Sequence, residues 1–194
     1  MAKKEDLKML DLICEAGMLK RVRRSGWWVL GITNPETVAE HSFRCAVIGY
    51  VIARSEKVSP YKVFLMTIFN DIHEARINDL HKMAQRYIKS EPVEDLAFAE
   101  QIGPLPRIMK KELASMHAEY RKQTTKESVI ARDADILECL IQAREYHTHG
   151  FREAAKFMKK APGFLKTKTA KRLWQLAKSV DLNKWWESLS EFKR

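Results

Sequence analysis

Residues 125–149 hold Val129, Ile130, Ala134, Ile136, Leu137, Leu140 and Ile141, apolar positions on more than one side of a single helical run. A helix of that kind cannot rest on a surface. Other elements have to surround it. The remaining segments can do so, because apolar residues recur at helical spacing along nearly the whole chain. Only 7 glycines and 6 prolines interrupt 194 residues, too few for a turn-rich β fold. The expectation is an all-α bundle of eight to ten helices forming one domain over residues 1–194. Its core spans about 7–150, and further helices occupy 151–194. A chain of this length buries a sizeable core but does not comfortably divide in two.

Punctuation sets the boundaries. Leu7, Leu10, Ile13 and Cys14 form the stripe of a first helix. The segment 21–35 contains Gly26, Gly31 and Asn34-Pro35 and reads as a loop. A second helix starts after Pro35 and runs to about Lys57. Ser59-Pro60 opens a third, continuing from Tyr61 to about Ala75 and ending near Asn78-Asp79. Pro92 restarts a helix within 80–102, Gly103-Pro104-Leu105-Pro106 is a linker, and a helix follows over about 107–122. Gly150 stops the long helix over 125–149, and shorter helices are expected over 151–160, 165–180 and 182–192.

The formal charge of +10 makes the surface attractive to nucleotides, nucleic acids and other polyanions, although the charge is spread along the chain. A hydrophobic content of 45% with 31% charged residues excludes disorder. No apolar run reaches the roughly 18 residues needed to cross a bilayer, so no membrane partner is expected. Cys14, Cys45 and Cys139 are widely spaced and read as small buried core residues in a reducing, cytoplasmic setting.

Three polar residues fall in apolar helical runs. His41 follows Val38 and precedes Phe43, Ala46 and Val47; alone, it reads as a hydrogen-bonded core residue. Asp71 ends the run Val63-Phe64-Leu65-Met66-Thr67-Ile68-Phe69, and a carboxylate carried into the interior needs a partner. Arg44, Arg76 or a helix N-terminus can serve. Glu74 lies about one turn on, and two carboxylates on one face repel unless a cation lies between them or one is protonated. Asp135 lies inside the most apolar helix, whereas Asp133 points elsewhere and can pair with Arg132 at the surface. One divalent metal held by imidazole and carboxylates explains these residues together, and such donors suit Mn, Fe, Co, Ni or Zn.

The motifs Pro35-Glu36-Thr37-Val38-Ala39-Glu40-His41-Ser42, Asn70-Asp71-Ile72-His73-Glu74-Ala75 and Asp133-Ala134-Asp135-Ile136-Leu137-Glu138 together resemble the HD-domain metal-dependent phosphohydrolases. The closer likeness is to the single-domain branch that includes the 5'-deoxynucleotidases. The resemblance implies metal ligands at His41, Asp71 and Asp135, with Asn70 where that family carries the histidine of its His-Asp pair. It implies that Glu74 helps activate water and protonate the leaving group, with Asp71 also in the catalytic set. It implies that Asp79 contacts the substrate sugar, that Arg24 and Trp27 line the substrate pocket, and that the protein is a homodimer. Taken by themselves, Arg24 also fits an exposed basic run and Trp27 a loop anchor in the core.

The expected activity is release of phosphate from a nucleoside 5'-monophosphate or a similar small phosphate by metal-activated water. Asn70 qualifies that expectation. A neutral amide oxygen is a weaker ligand than imidazole for a first-row transition metal. Either the amide still coordinates and the site moves toward Mg or Mn, or His73 swings in from a position whose spacing points it toward solvent. His81, His117, His147 and His149 read as surface residues. The alternative function is a non-catalytic nucleotide- or nucleic-acid-binding protein, using the basic-aromatic stretch 20–28 and Trp174, Trp185 and Trp186.

Overall fold

A computed structural model describes residues 2–189. Ten α-helices follow one another: α1 (Ala2–Ala16), α2 (Val38–Ser55), α3 (Pro60–Phe69), α4 (Glu74–Ile77), α5 (Lys82–Gln85), α6 (Ser90–Ile102), α7 (Arg107–Lys122), α8 (Lys126–Thr148), α9 (Ala155–Lys160) and α10 (Lys168–Ser179). The described residues contain no β-strand, only an isolated bridge between Arg23 and Thr37. The fold is all-α, and the many-sided apolar helix is at its centre. α8 packs against α2, α3, α7, α9 and α10. Ile130, Ala134, Leu137 and Leu140 on α8 share one core with Ile52, Val63 and Trp174.

Two capping boxes fix the helices that matter most. The Thr37 hydroxyl accepts from the Glu40 backbone N–H while the Glu40 carboxylate accepts from the Thr37 N–H, so α2 starts at Val38 rather than directly after Pro35. Thr125 and Ser128 cap α8 in the same reciprocal way. Gly150, with φ of 98°, ends α8 in a conformation that side chains rarely adopt.

Gly49 sets the closeness of α2 and α3. A Cβ there would lie 2.9 Å from a Val63 methyl and 3.2 Å from that of Thr67. Glycine therefore lets the Val63 and Thr67 side chains of α3 seat against the α2 backbone. That contact brings the start of α2 beside the end of α3.

Several boundaries differ from expectation. The third helix does not continue to Ala75. It ends at Phe69, and the chain turns through 70–73 with Ile72 N–H donating to Phe69 and Glu74 N–H to Asp71, an i to i+3 pattern tighter than the α ladder. The loop 21–35 contains a 3-10 helix over Ser25–Leu30. Of the helix expected over 182–192, Lys184–Trp186 form a 3-10 turn and 190–192 lie outside the described residues. Cys14 is exposed, contrary to its reading as a core residue; Cys45 is buried and Cys139 half-buried. Asp133 does not pair with Arg132 at the surface. It is fully buried, and its carboxylate accepts from the backbone N–H groups of Lys166 and Thr167, tying the start of α10 to α8. Arg132 pairs with Asp135 instead, at 2.8 Å.

Candidate metal centre

His41 is the fourth residue of α2, and its N–H makes a ladder bond to the capping Thr37. Its imidazole is completely buried between the turn after α3 and the middle of α8. Nδ1 faces the Glu138 carboxylate at 2.5 Å. The opposite nitrogen, Nε2, lies 3.2 Å from Asp135 Oδ1 and 3.5 Å from Asp71 Oδ2. Two ligands at about 2.1 Å from a common ion stand about 3.0–3.4 Å apart in octahedral or tetrahedral geometry. The 3.2 Å spacing of His41 to Asp135 therefore suits a shared cation, and the 3.5 Å spacing to Asp71 lies just outside that span.

Glu138 is itself held. Arg44 Nε donates to it at 2.9 Å, and the rest of that guanidinium binds Glu145 and Gln142. A carboxylate that fixes the far nitrogen of a histidine sets the tautomer and aims the near nitrogen, a common support for metal ligands. Glu138 lies one turn beyond Asp135 on α8. That spacing was visible in the sequence, but its partners His41 and Arg44 lie some hundred positions away and were not.

Asn70 is half-buried at the end of α3. Its amide Nδ2 donates to Asp71 Oδ1 at 2.6 Å. This bond turns the other oxygen of Asp71 toward His41 and toward Arg24, whose guanidinium lies 4.0 Å away. His73 is buried rather than solvent-facing, because the chain turns inward at 70–73, and its Nδ1 has no hydrogen-bond partner among the described residues. It does not join His41. Burial holds its pKa below the ordinary value.

Carboxylates crowd this region. Burial, and then the neighbouring Asp71 charge, push Glu74 well above the usual carboxylate range, and its Oε2 has no hydrogen-bond partner. Burial also raises Asp71. Asp135 is held low: its burial is outweighed by His41 and Arg132. Burial and the nearby Arg24 would lower His41, but the adjacent Cys45, Glu138 and Asp135 groups outweigh them and raise its pKa well above the ordinary value. Glu36, pushed up to about 7 by burial and by Glu138, completes a second acidic layer.

The loop before α2 brings Arg24 inward. Burial would lower its pKa, yet Asp79, Asp71, Glu74 and Asp135 keep it firmly charged. Asp79 accepts from the Ser25 N–H at 2.7 Å, and its backbone carbonyl accepts from the Ser25 hydroxyl at 2.8 Å. It therefore ties the Arg24 loop to the segment after α4. Trp27 is only 2% exposed, with its indole N–H donating to Glu36 and its rings against Tyr146 and Phe157. This is the position of a loop anchor.

The other histidines lie elsewhere. His81 caps α5, and His117 stacks on Phe98 and binds Asp95. Trp174 is buried in the core, whereas Trp185 is exposed. A small cavity is lined by His41, Cys45, Thr67, Asn70, Asp71 and Asp135. The residues present fit a divalent ion: an imidazole aimed by its far nitrogen, Cys45 and Asp135 grouped with it within 4.8 Å, Asp71 at 3.5 Å from it, and, among the described residues, a buried Glu74 oxygen without a partner.

Comparison with known proteins gives a consistent set of relatives. The HD domain family matches residues 16–177. The mouse 5'-deoxynucleotidase HDDC2 is 30% identical over 142 residues, covering 72% of this chain and 69% of that protein. A conserved hypothetical protein from Pyrococcus furiosus superposes with a TM-score of 0.73 at 31% identity, covering 87% of this chain and 96% of that one. A protein from Magnetospirillum magnetotacticum described as a predicted metal-dependent phosphohydrolase shares the fold, with a TM-score of 0.70 at 21% identity over 91% of this chain and 92% of that one.

Proposed function

The chain belongs to the HD-domain family, and from that membership and its buried polar centre we propose that it is a metal-dependent phosphohydrolase releasing phosphate from nucleoside 5'-monophosphates. The observation that carries the reading is His41: Nδ1 is fixed by Glu138, and Nε2 is turned toward Asp71 and Asp135. In this reading His41, Asp71 and Asp135 hold the ion, and Asn70 orients Asp71 instead of contributing a strong ligand. A divalent ion held there would supply Lewis acidity and would lower the pKa of water, giving a hydroxide nucleophile near neutral pH.

The other residues act on the substrate. Arg24 is held charged and faces the acidic centre, so its planar fork can take two phosphate oxygens. Glu74, kept protonated by burial, can give its proton to the 5'-oxygen as the P–O bond breaks. Asp79 holds the Arg24 loop in place through Ser25 and is assigned the contact to the substrate sugar. Trp27 sets the shape of that loop from beneath. The substrate class rests on the relatives described as 5'-deoxynucleotidases.

The reading extends to a homodimer in a reducing, cytoplasmic setting. Exposed Phe43, Val47 and Tyr50 on α2 offer an apolar face for a second copy, and the three cysteines form no disulfide. Phosphate release from a panel of ribo- and deoxyribonucleoside 5'-monophosphates, with Mn, Co, Mg or Zn supplied, tests the activity. Release that requires metal and is abolished by Glu74→Gln supports it. Nucleotide binding without any release, with every metal tried, would favour the non-catalytic alternative.

A further inference from the structure

Cys45 lies one turn after His41 on α2, and both are buried. The two side chains meet: Cys45 Sγ is 3.4 Å from His41 Nε2, the nitrogen that faces the carboxylates. One ligand atom each from His41, Cys45 and Asp135 lie within 4.8 Å of one another, and Asp71 joins them through His41 at 3.5 Å. A nitrogen at about 2.05 Å and a sulfur at about 2.3 Å from one ion stand about 3.1–3.6 Å apart, depending on the angle. The observed separation falls within that span.

Burial pushes the Cys45 thiol up to about 12, so the sulfur ionises only with a cation beside it. Among the described residues its hydrogen-bonding contacts are with the two nitrogens of His41. It lines the same cavity as Asn70, Asp71 and Asp135. Asn70, by contrast, uses its amide nitrogen on Asp71 and can offer at most a neutral oxygen.

We propose that Cys45 is a ligand of the divalent ion, supplying the donor that Asn70 does not, and that this site therefore takes a borderline or soft ion such as Zn, Co(II) or Fe(II) in preference to Mg or Mn. The proposal rests on the metal-dependent reading above. It differs from both alternatives that the sequence offered, an Asn70 oxygen with Mg or Mn and a His73 ligand. Coordination breaks the S–H bond and releases the proton to solvent, forming a metal–thiolate bond.

Cobalt(II) titration of the full-length protein, followed by absorption spectroscopy, tests the assignment. The unmodified protein should develop a sulfur-to-cobalt charge-transfer band in the near ultraviolet. Cys45→Ser and Cys45→Ala should both lose that band and bind zinc about a hundredfold more weakly. A Cys14→Ser/Cys139→Ser double variant should keep it. Adding Asn70→His to Cys45→Ala should recover part of the cobalt affinity without the band. Stoichiometric cobalt with no charge-transfer band in the unmodified protein, or a band that survives Cys45→Ser, overturns the proposal while leaving the metal-dependent reading intact. No bound cobalt in any variant overturns both.

Discussion

Glu138→Gln isolates the support beneath the proposed metal ligand. The substitution keeps the volume of a fully buried side chain but removes its charge. Glu138 receives Nδ1–H of His41 on one oxygen and Nε–H of Arg44 on the other. Glutamine has one acceptor oxygen, so its amide N–H₂ must face one of these two donors. At least one charge-assisted hydrogen bond is lost, about 1.5–3 kcal/mol. In a chain of this size that corresponds to a fall of about 3–12 °C in melting temperature. The imidazole also loses the anchor that aims Nε2, which should weaken metal binding by about 10–100-fold. Thermal melts of the metal-free protein and calorimetric zinc titrations in mildly alkaline buffer, where protons compete least, measure both effects. A lower melting temperature with unchanged zinc affinity would refute the reasoning, because it would mean that His41 is a structural residue and not a ligand.

Three further outcomes follow from the same geometry. Asn70→His should tighten zinc binding by no more than about seventyfold: a ligand's share of roughly 2.5–4 kcal/mol is offset by losing the 2.6 Å bond to Asp71, about 1.5–3 kcal/mol. Calorimetry reads the difference, and a gain of several orders of magnitude would show that no other group fills the position. Arg24→Ala should raise KM for a nucleoside monophosphate about 10–100-fold with a smaller change in kcat, since one charge-assisted clamp on phosphate is lost; steady-state kinetics with an unchanged KM would remove Arg24 from the substrate site. Glu119 has its pKa lowered, first by the Thr125 hydroxyl, which in turn caps α8. A folded pKa below the unfolded value of 4.5 contributes stability that is present above 4.5 and is lost as pH falls through the lower folded value. Denaturant melts across that range should therefore show a shallower acid loss for Glu119→Gln than for the unmodified protein; identical slopes would contradict it.

The parts of the molecule that local patterns control were legible in the sequence. Helix α7 runs between the Gly-Pro-Leu-Pro linker and the Thr-Thr pair, and its expected limits of 107 and 122 are those observed. The central position of α8 followed from its many-sided apolar surface. That the buried charges of Asp71 and Asp135 would seek a partner was also readable, and each lies near His41.

Other features depend on contacts between distant segments and left little local trace. The apolar period continues smoothly past Phe69, so nothing in the pattern marks the turn that buries His73. Asp133 looked like a surface residue because its partners, the backbone N–H groups of Lys166 and Thr167, carry no side-chain signal. Glu138 and Arg44 sit in ordinary amphipathic positions, and only folding brings them to His41. Cys45 was read as a core thiol, although its i+4 spacing from His41 placed it on the metal-facing side of α2.

Elemental analysis of the protein purified without added metal or chelator, run beside Asp71→Ala, tests the central claim most directly. One divalent ion per chain in the unmodified protein, and a large loss in Asp71→Ala, is the expected result. Protein without metal that also fails to take it up on dialysis against zinc, or equal metal in both proteins, would contradict a metal centre built on His41, Asp71 and Asp135.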